Sequence, residues 1–398
     1  MSGLPRVMWL MLGMALAPLP LWAADERQAL LDRADALEAE GRPAEVLALL
    51  EPHADGDDVE VIARLASAAF LQASQGDLSG AVTEASIRPA IDYARRTAEL
   101  GDPMGWNLLW VIYANGVGVV PDMDRALGYL RAGVEGGDPG AMLNMLEDLY
   151  SGSPWIEQDV EAACAMYDRL IDTGQQLPPV VPYLRAWMLM KGECGLRADP
   201  AAGFAQINAL AVDGLEVAQR VTGMALKDGW FAAPDPAASV PWFELAAAQG
   251  DAESMWQLGT LFAFGQGVDV DYARAVDLFR QAAEWHYPPA MTSLAVMYAS
   301  GQGVAQDFAR ARVLYGQAVA AGETHALRNL AVMHALGQGG PPDPVQAQVY
   351  YLQHRHAGNP ASEQLEQMIG GLLDAAGRAE AQQRFQDWLA LQDILSVQ

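Results

Sequence analysis

A short glycine-containing phrase returns along this chain at a nearly constant interval, and no other feature limits the possible folds so strongly. The phrase reads FGQGV at residues 264–268 and recurs around Gly301 and Gly337, each 36 residues after the previous copy. Its first glycine, here called the anchor glycine, also appears upstream with successive spacings of 36, 40, 37 and 36 residues, from Gly116 through Gly152, Gly192 and Gly229 to Gly265. A period of this length is typical of stacked structural repeats, so an array of repeat units is predicted.

Each unit has the pattern of a helix, a tight turn and a second helix. Before Gly301, apolar residues recur at offsets of three and four, which places one helical stripe in a core: Ala290, Met291, Leu294, Met297 and Tyr298. The anchor glycine supplies the left-handed backbone conformation that ends this first helix. An aspartate six or seven residues later is expected to cap the second helix, at Asp122, Asp159, Asp199, Asp235, Asp271, Asp307 and Asp343.

The second helix has two recurrent positions of its own. Ten residues past the anchor, four units carry a residue small enough for a close helix crossing: Ala126, Ala275, Ala311 and Ala347. About fourteen residues past the anchor, five units carry a large apolar or aromatic side chain: Leu130, Phe243, Phe279, Tyr315 and Tyr351. Because Val and Ile form no alternating runs, the predicted fold class is all-α.

The combined pattern resembles a known family. Its form, Leu-Gly/Ala-x-Met/Leu-Tyr/Phe-x-x-Gly-x-Gly-Val-x-x-Asp-x-x-x-Ala, is similar to the Sel-one-like repeat (SLR), a relative of the tetratricopeptide repeat with a longer turn. The resemblance covers residues 88–358 and is strong for four units but degenerate for those at Gly192 and Gly229. It implies a right-handed α-solenoid that acts as an interaction scaffold, and it supplies no catalytic residues.

The regions outside the repeats complete the predicted organisation. Residues 24–87 are expected to form an N-terminal helical region of tetratricopeptide type, with a loop insertion at residues 77–87. Residues 359–398 are expected to contain one or two amphipathic helices, separated near Gly377. Since a solenoid needs an end cap with a polar outer face, these helices are interpreted as that cap.

Residues 1–23 have the pattern of a secretory signal peptide. Arg6 precedes an apolar run from Val7 to Ala17, and the small residue Ala23 lies before an acidic segment. The run is far shorter than the roughly 20 apolar residues that a spanning helix needs. An uncleaved anchor is the alternative. We expect export, to the periplasm if the organism is Gram-negative and otherwise to the exterior.

The charge of the chain limits its partners. It has 24 basic and 50 acidic residues, which leaves a net charge of −26. Phosphate backbones and anionic lipid surfaces repel such a molecule, so nucleic-acid binding and membrane insertion are not expected. The acidity either serves solubility or forms a groove for basic segments of a partner. The expected partner is a protein or peptide.

No linear motif of a common hydrolase is found in the sequence. Lys191 and Lys227 follow methionine rather than serine three residues earlier, and no Gly-x-Ser-x-Gly elbow exists. His334 takes the slot that an aromatic residue fills in other units, so it is interpreted as a core residue. We expect no enzyme activity, no cofactor and no metal site. The alternative is an envelope enzyme, or a protein that binds glycan or peptidoglycan fragments, with a site assembled from several repeats.

Two residue sets are candidates for specific roles. Cys164 and Cys194, the only cysteines, fall in consecutive units, and either pair as a disulfide or remain two buried thiols. Residues nine, five and one before the anchors of the four strong units should share one exposed face, distinct from the core stripe: Asn107, Val111, Asn115, Trp256, Thr260, Phe264, Thr292, Val296, Ser300, Arg328, Val332 and Leu336.

This second set is called the first-helix stripe. First helices line the concave side in the proteins that the chain resembles, so the stripe is the predicted binding surface. Trp256 and Phe264 suggest an aromatic anchor for a partner, since a sister unit carries Thr292 and Ser300 at the same positions. The alternative for Trp256 is packing against a neighbouring repeat.

Overall fold

The computed structural model describes residues 24–75, 82–153, 155–175 and 177–396, and within these ranges it contains helices and connections without a β-strand. The predicted signal peptide lies outside the described residues. Contacts divide the chain into two compact units, with unit 1 ending at Leu177 and unit 2 beginning at Pro178. The all-α solenoid class is confirmed, because helices pair consecutively within both units.

Unit 1 contains eight α-helices and one short 3₁₀ helix, Glu51–His53, among the described residues, and each α-helix packs against the next. The α-helices are α1 Ala24–Ala39, α2 Pro43–Leu50, α3 Val59–Gln75, α4 Glu84–Glu99, α5 Met104–Asn115, α6 Met123–Gly136, α7 Pro139–Ser151 and α8 Val160–Asp172. The first helices α5 and α7 also contact each other. The core of this unit therefore runs along the stack rather than around one centre.

Unit 2 continues the same alternation of first and second helices and ends with two further helices. Its described helices are α9 Val180–Lys191, α10 Pro200–Val212, α11 Glu216–Asp228, α12 Pro236–Ala248, α13 Ala252–Phe264, α14 Tyr272–Glu284, α15 Pro288–Ser300, α16 Phe308–Ala320, α17 Ala326–Leu336, α18 Pro344–His356, α19 Glu363–Leu372 and α20 Ala375–Ser396. The helices α19 and α20 pack on α17 and α18, at the end of the repeats.

The turn between the two helices of a unit forms as its residues predict. All seven anchor glycines have a positive φ, between 64° and 77°. Every predicted aspartate caps its second helix; for example, the backbone N–H of Arg274 donates to Asp271 Oδ1 at 3.0 Å. Since both devices depend only on residues close in sequence, the local pattern is sufficient to specify them.

The second glycine of the turn joins one repeat to the previous one. A Cβ added to Gly267, Gly303 or Gly339 would lie closer than 3.0 Å to backbone atoms at the start of the preceding second helix. Only glycine permits this approach. In the unit at Gly229, Phe231 takes this position and instead stacks on Phe204, with ring centroids 4.7 Å apart.

Two boundaries differ from the predicted ones. The helix α4 begins at Glu84, so the last four residues of the predicted loop are helical; Thr83 and Ser86 form a reciprocal capping box there. The break between the last two helices falls at residues 373–374, a few residues before Gly377, which itself lies inside α20. Local hydrogen bonds at Thr83 decide the first case, and in the second the helix continues through a glycine that packs against Leu373.

A glycine inside α13 tests whether close packing or helix propensity controls stability. A Cβ on Gly259 would lie 2.7 Å from the ring of Phe279, a buried core residue. We expect Gly259→Ala to lower the free energy of unfolding by about 1–2 kcal/mol, because overpacking outweighs the gain of about 1 kcal/mol in helix propensity. Urea unfolding monitored by circular dichroism measures it.

The matched control is Gly316→Ala in α16, where an added Cβ meets nothing within 4 Å. This variant should gain about 1 kcal/mol, since propensity alone acts there. If both variants gain stability, the close contact between Gly259 and Phe279 is absent in solution.

Candidate binding surface on the first helices

The first helices of the last three repeats have one buried side and one exposed side. Leu258, Leu294 and Leu330, each seven residues before an anchor, lie in the core of unit 2. On the other side, Phe264 is 72% exposed and Leu336 is 52% exposed. The stripe at nine, five and one residues before the anchors thus contains no buried side chain in α13, α15 and α17.

Charge is nearly missing from this surface. Glu253 is the only charged residue of α13, α15 has none, and Arg328 is the only one of α17 apart from the buried His334. Fully buried centres of protein interfaces are depleted in charge in the same way. We call Thr260, Phe264, Val296, Val332 and Leu336 the apolar face.

For Trp256 the structure supports the alternative interpretation. Its indole Nε1 donates to Ser293 Oγ at 2.9 Å, and its ring lies 5.9 Å from that of Tyr287, centroid to centroid. Both partners belong to the next repeat. Trp256 therefore joins α13 to α15 and is half-buried, whereas Phe264, two turns further along α13, remains free of such packing.

The stripe of unit 1 has polar residues at both ends, Asn107 and Asn115, with the half-buried Val111 between them. Asn107 Oδ1 accepts a hydrogen bond from Asn144 Nδ2 at 2.9 Å. This contact is equivalent to the one from Trp256 to Ser293, because Asn144 and Ser293 each lie eight residues before the anchor glycine of the next repeat. Asn115 Nδ2 donates to the carbonyl oxygen of Val111 at 2.9 Å. These side chains are occupied within the stack, so the predicted stripe separates into a polar part and the apolar face.

Two further residues of the stripe escaped prediction. Tyr183 and Arg220 lie nine residues before Gly192 and Gly229, in the units that looked degenerate. Arg220 Nε lies 3.1 Å from Asp251 Oδ2, and its Nη1 lies 2.8 Å from Glu253 Oε2. Counting back from the anchor would have found both, because the spacing persists where the rest of the phrase is lost.

Glu216, at the start of α11, lies beside this ion pair. Burial, together with the hydrogen bond and the charge of Asp251, raises the pKa of the Glu216 carboxyl to about 7. Burial acts in the same direction on Asp251, but hydrogen bonds from Glu216 and Ser254 hold the pKa of Asp251 below its ordinary value. Below neutral pH the two carboxyl groups therefore share about one proton.

His334 is a core residue, as predicted. It is 8% exposed, and its ring meets that of Tyr350 edge-on with centroids 5.1 Å apart. Burial and the nearby Arg312 guanidinium lower the pKa of His334. In other units the same slot holds an aromatic ring covered by an arginine, such as Phe262 under Arg274.

The described residues contain no group of three or more His, Cys, Asp or Glu side chains that could hold a metal ion. Within the same ranges, every helix is too short or too polar to cross a lipid bilayer.

Five segments of the chain match the family described as Sel1 repeat, at residues 104–138, 217–251, 252–284, 288–323 and 324–353. The chain contains five Sel1 repeats. The unit at Gly229, predicted to be degenerate, is among the matched segments, whereas those at Gly152 and Gly192 are not. Sel1 repeats are a protein-interaction type of repeat.

The chain is also similar to solved structures from several bacteria. A Sel1 repeat protein from Oxalobacter formigenes is 22% identical with a TM-score of 0.48, covering 88% of this chain and 92% of its own. A protective antigen of uropathogenic Escherichia coli strains, displaying an SLR fold, is 17% identical with a TM-score of 0.35, covering 90% and 94%. An immunity protein from Pseudomonas aeruginosa is 15% identical with a TM-score of 0.36, covering 55% and 81%. None of the curated proteins matches the chain.

The carboxyl pair formed by Glu216 and Asp251 predicts that the stability of the chain depends on pH in a specific way. Because the folded state holds the Glu216 proton more tightly than the unfolded chain does, the group adds stability below its ordinary pKa of 4.5, and this is lost as pH rises through about 7. We expect Glu216→Gln, whose amide still donates to Asp251, to gain stability relative to the parent as pH rises from about 5.5 to about 8.5.

Thermal unfolding across that range measures the difference between variant and parent. Glu244→Gln is the control. Glu244 forms an ion pair with the guanidinium of Arg274 at 2.8 Å, whereas Glu216 shares its proton with a second carboxyl group. A Glu216→Gln variant whose stability stays parallel to that of the parent would contradict the shared proton.

For the two cysteines we propose a disulfide, on the basis of repeat equivalence. Cys164 lies twelve residues after its anchor and Cys194 two residues after the next anchor. One repeat later, in unit 2, the same positions hold Phe204 and Phe231, whose rings stack. Thiol labelling of the denatured, unreduced mature protein should modify neither cysteine, and reduction should expose both. Full labelling without reductant would exclude the bond.

Proposed function

We propose that this chain is an exported, non-catalytic scaffold that holds a protein or peptide partner on the first-helix side of unit 2. One observation carries the proposal: three successive first helices turn apolar, uncharged side chains outward beside a complete buried stripe. Phe264, Val296 and Leu336 are exposed on successive first helices, and exposed apolar residues grouped on one surface are typical of an interaction site.

Binding at the apolar face would be favourable because it removes exposed apolar area from water. Fully burying a Phe, Leu or Val side chain contributes about 1.5–3 kcal/mol, so the apolar face can supply the centre of an interface. Association also costs translational and side-chain freedom, so only part of that gain becomes affinity. The polar stripe of unit 1 has less apolar area to bury, and its side chains Asn107 and Asn115 already form hydrogen bonds within the stack.

Export is the second part of the proposal. It rests on the short apolar run after Arg6 and on the small residue that precedes the acidic segment at Asp25. Mass spectrometry of the protein recovered from the cell envelope fraction should find an N-terminus near Ala24. Recovery of the chain with Met1 in place would contradict cleavage.

The binding surface is tested by two exposed positions. We expect Phe264→Ser and Leu336→Ser, which introduce the residue that the middle repeat carries at Ser300, to lower capture of the partner from envelope extracts about tenfold or more. Helical content and melting temperature should stay near those of the parent, because both side chains are mostly exposed.

Two second-helix positions serve as matched controls. Leu245 in α12 is 50% exposed and Val313 in α16 is 60% exposed, so Leu245→Ser and Val313→Ser remove similar apolar area from the other side. These variants should capture the partner like the parent. If all four substitutions act alike, or if only the second-helix pair lowers capture, the first-helix surface is not the binding site.

A further inference from the structure

The contact between the first helices α11 and α13, here called the α11–α13 joint, is made by charged side chains. Arg220 of α11 pairs with Asp251 and Glu253 at the start of α13. Arg220 lies nine residues before its anchor, as Trp256 does, and Asp251 lies fourteen before its anchor, as Tyr287 does. In the next joint the rings of Trp256 and Tyr287 lie 5.9 Å apart, centroid to centroid. The same repeat positions therefore hold aromatic rings in one joint and ion pairs in the other.

The core beside Arg220 is polar as well. Gln219 lies ten residues before its anchor, where the next repeat has Met255, which belongs to one buried cluster with Ala290 of the repeat that follows. Gln219 is buried too, but its Oε1 accepts a hydrogen bond from Gln249 Nε2 at 2.8 Å. Thr222 takes the slot that leucine fills in the last three repeats, and its buried Oγ1 has no hydrogen-bond partner among the described residues. Such a hydroxyl weakens the packing around it.

The second-helix side of the same joint remains apolar. Phe243 of α12 is fully buried and belongs to one core cluster with Leu258 and Phe262 of α13. The joint thus has an apolar contact on one side and ionisable groups on the other. Repulsion between the ionisable groups can rotate the two repeats about the apolar contact, as in a hinge.

Glu216 completes the ionisable side. It lies in the first turn of α11, and its carboxyl group forms a hydrogen bond with that of Asp251, the N-cap of α13. We propose that Glu216, Arg220 and Asp251 form a pH-operated clasp: one shared proton holds α11 against α13, and loss of that proton lets the two helices separate about Phe243. The clasp lies between the stripe residues of α11 and the apolar face, so its opening changes the distance between them.

The charge balance of the clasp gives the direction of the pH effect. With the proton in place, Glu216 is neutral, and Arg220 faces the two carboxylates of Asp251 and Glu253. Without it, three carboxylates surround one guanidinium, and neighbouring like charges repel each other. Burial and the neighbouring Asp251 raise the pKa of Glu216 to about 7. The clasp is therefore closed in acid and opens as pH rises through neutrality.

Two tyrosines from neighbouring first-helix elements face the clasp. Tyr183 of α9 lies near Arg220, and burial raises the pKa of this phenol above its ordinary value of 10. Tyr287, which precedes α15, lies near Asp251 and Glu253, and also near Glu323 after α16; burial raises the pKa of Tyr287 to about 12. Both phenols keep their protons near neutral pH. His286, next to Tyr287, is exposed, and the Glu216→Gln variant below separates its titration from that of Glu216.

The second helices that pack against the joint hold their charges elsewhere. The helix α10 has no charged side chain. Glu244 of α12 pairs with Arg274 of α14, and Asp277 pairs with Arg280 within α14. The titration of Glu216 thus dominates the change of charge within the clasp.

Pulsed hydrogen–deuterium exchange of the mature chain, residues 24–398, tests the clasp at about pH 5.5 and about pH 8.5, with each rate divided by the intrinsic rate at that pH. The first turn of α13 reports opening, because the N–H of Ser254 donates to Asp251 Oδ1 at 2.5 Å. We expect residues 254–256 to exchange about tenfold faster at the higher pH on this corrected scale. Water and salt at the half-buried Glu216 keep the effect below that of the full pKa difference.

The equivalent residues 290–292 of α15 are the internal control, because Tyr287 rather than a carboxylate precedes that helix. They should show no change between the two pH values. Glu216→Gln should abolish the pH difference at residues 254–256, since its amide still donates to Asp251 but cannot lose a proton in this range. Glu244→Gln, outside the clasp, should keep the difference of the parent.

Three outcomes would each overturn the proposal. Equal corrected rates at the two pH values in the parent would show that the Glu216 carboxylate turns into solvent without moving α11. An equal change at residues 290–292 would show that pH acts on the whole chain rather than on this joint. A pH difference that persists in Glu216→Gln would assign it to another group.

Discussion

The close approach of the second turn glycine to the preceding repeat is the contact on which the rest of this structure depends. At Gly267, Gly303 and Gly339 the backbone lies so near the start of the preceding second helix that no side chain fits between them. In unit 1, Gly118 approaches Thr83 at the start of α4 in the same way. This contact sets the distance between repeats, and the core residues of the paired helices then fill the space that it leaves.

The spacing set by this contact determines what the first helices can present. Within unit 2 it brings Leu258, Leu294 and Leu330 into one core and leaves Phe264 and Leu336 on the opposite side. Repeat stacking thus converts a single sequence position into a row of side chains. The composition of that row, rather than the fold, distinguishes the apolar face from the polar stripe at Asn107, and the proposed function assigns the selection of a partner to this row.

The sequence predicted most of the fold, because its strongest signals are local. The anchor glycine, the capping aspartate at Asp271 and the core slot of His334 each depend on residues within one unit. Contacts between neighbouring repeats were harder to predict. The hydrogen bond from Trp256 to Ser293 joins residues 37 apart in sequence. From the sequence alone, a large side chain at this position can pack either on a partner or on a neighbouring repeat.

The degenerate turn sequence at Gly229 kept Arg220 out of the predicted site. Arg220 belongs to the stripe, but its unit has Trp230 and Phe231 where other turns have glutamine and glycine, so the phrase was weakest there. The division of the chain after Leu177 left no sequence signal either, since it falls inside the predicted repeat region. The spacing from the anchor still marks Arg220, whereas nothing in the local pattern marks the division after Leu177.

Site-specific photocrosslinking from the two sides of one repeat tests the central claim most directly. A benzophenone amino acid at Val296, on the first helix α15, is compared with the same group at Val313, on the second helix α16; these side chains are 38% and 60% exposed. The account predicts that irradiation of the exported protein in envelope preparations links a partner from position 296 and not from position 313. Crosslinks from position 313 alone, or equally from both, would contradict it.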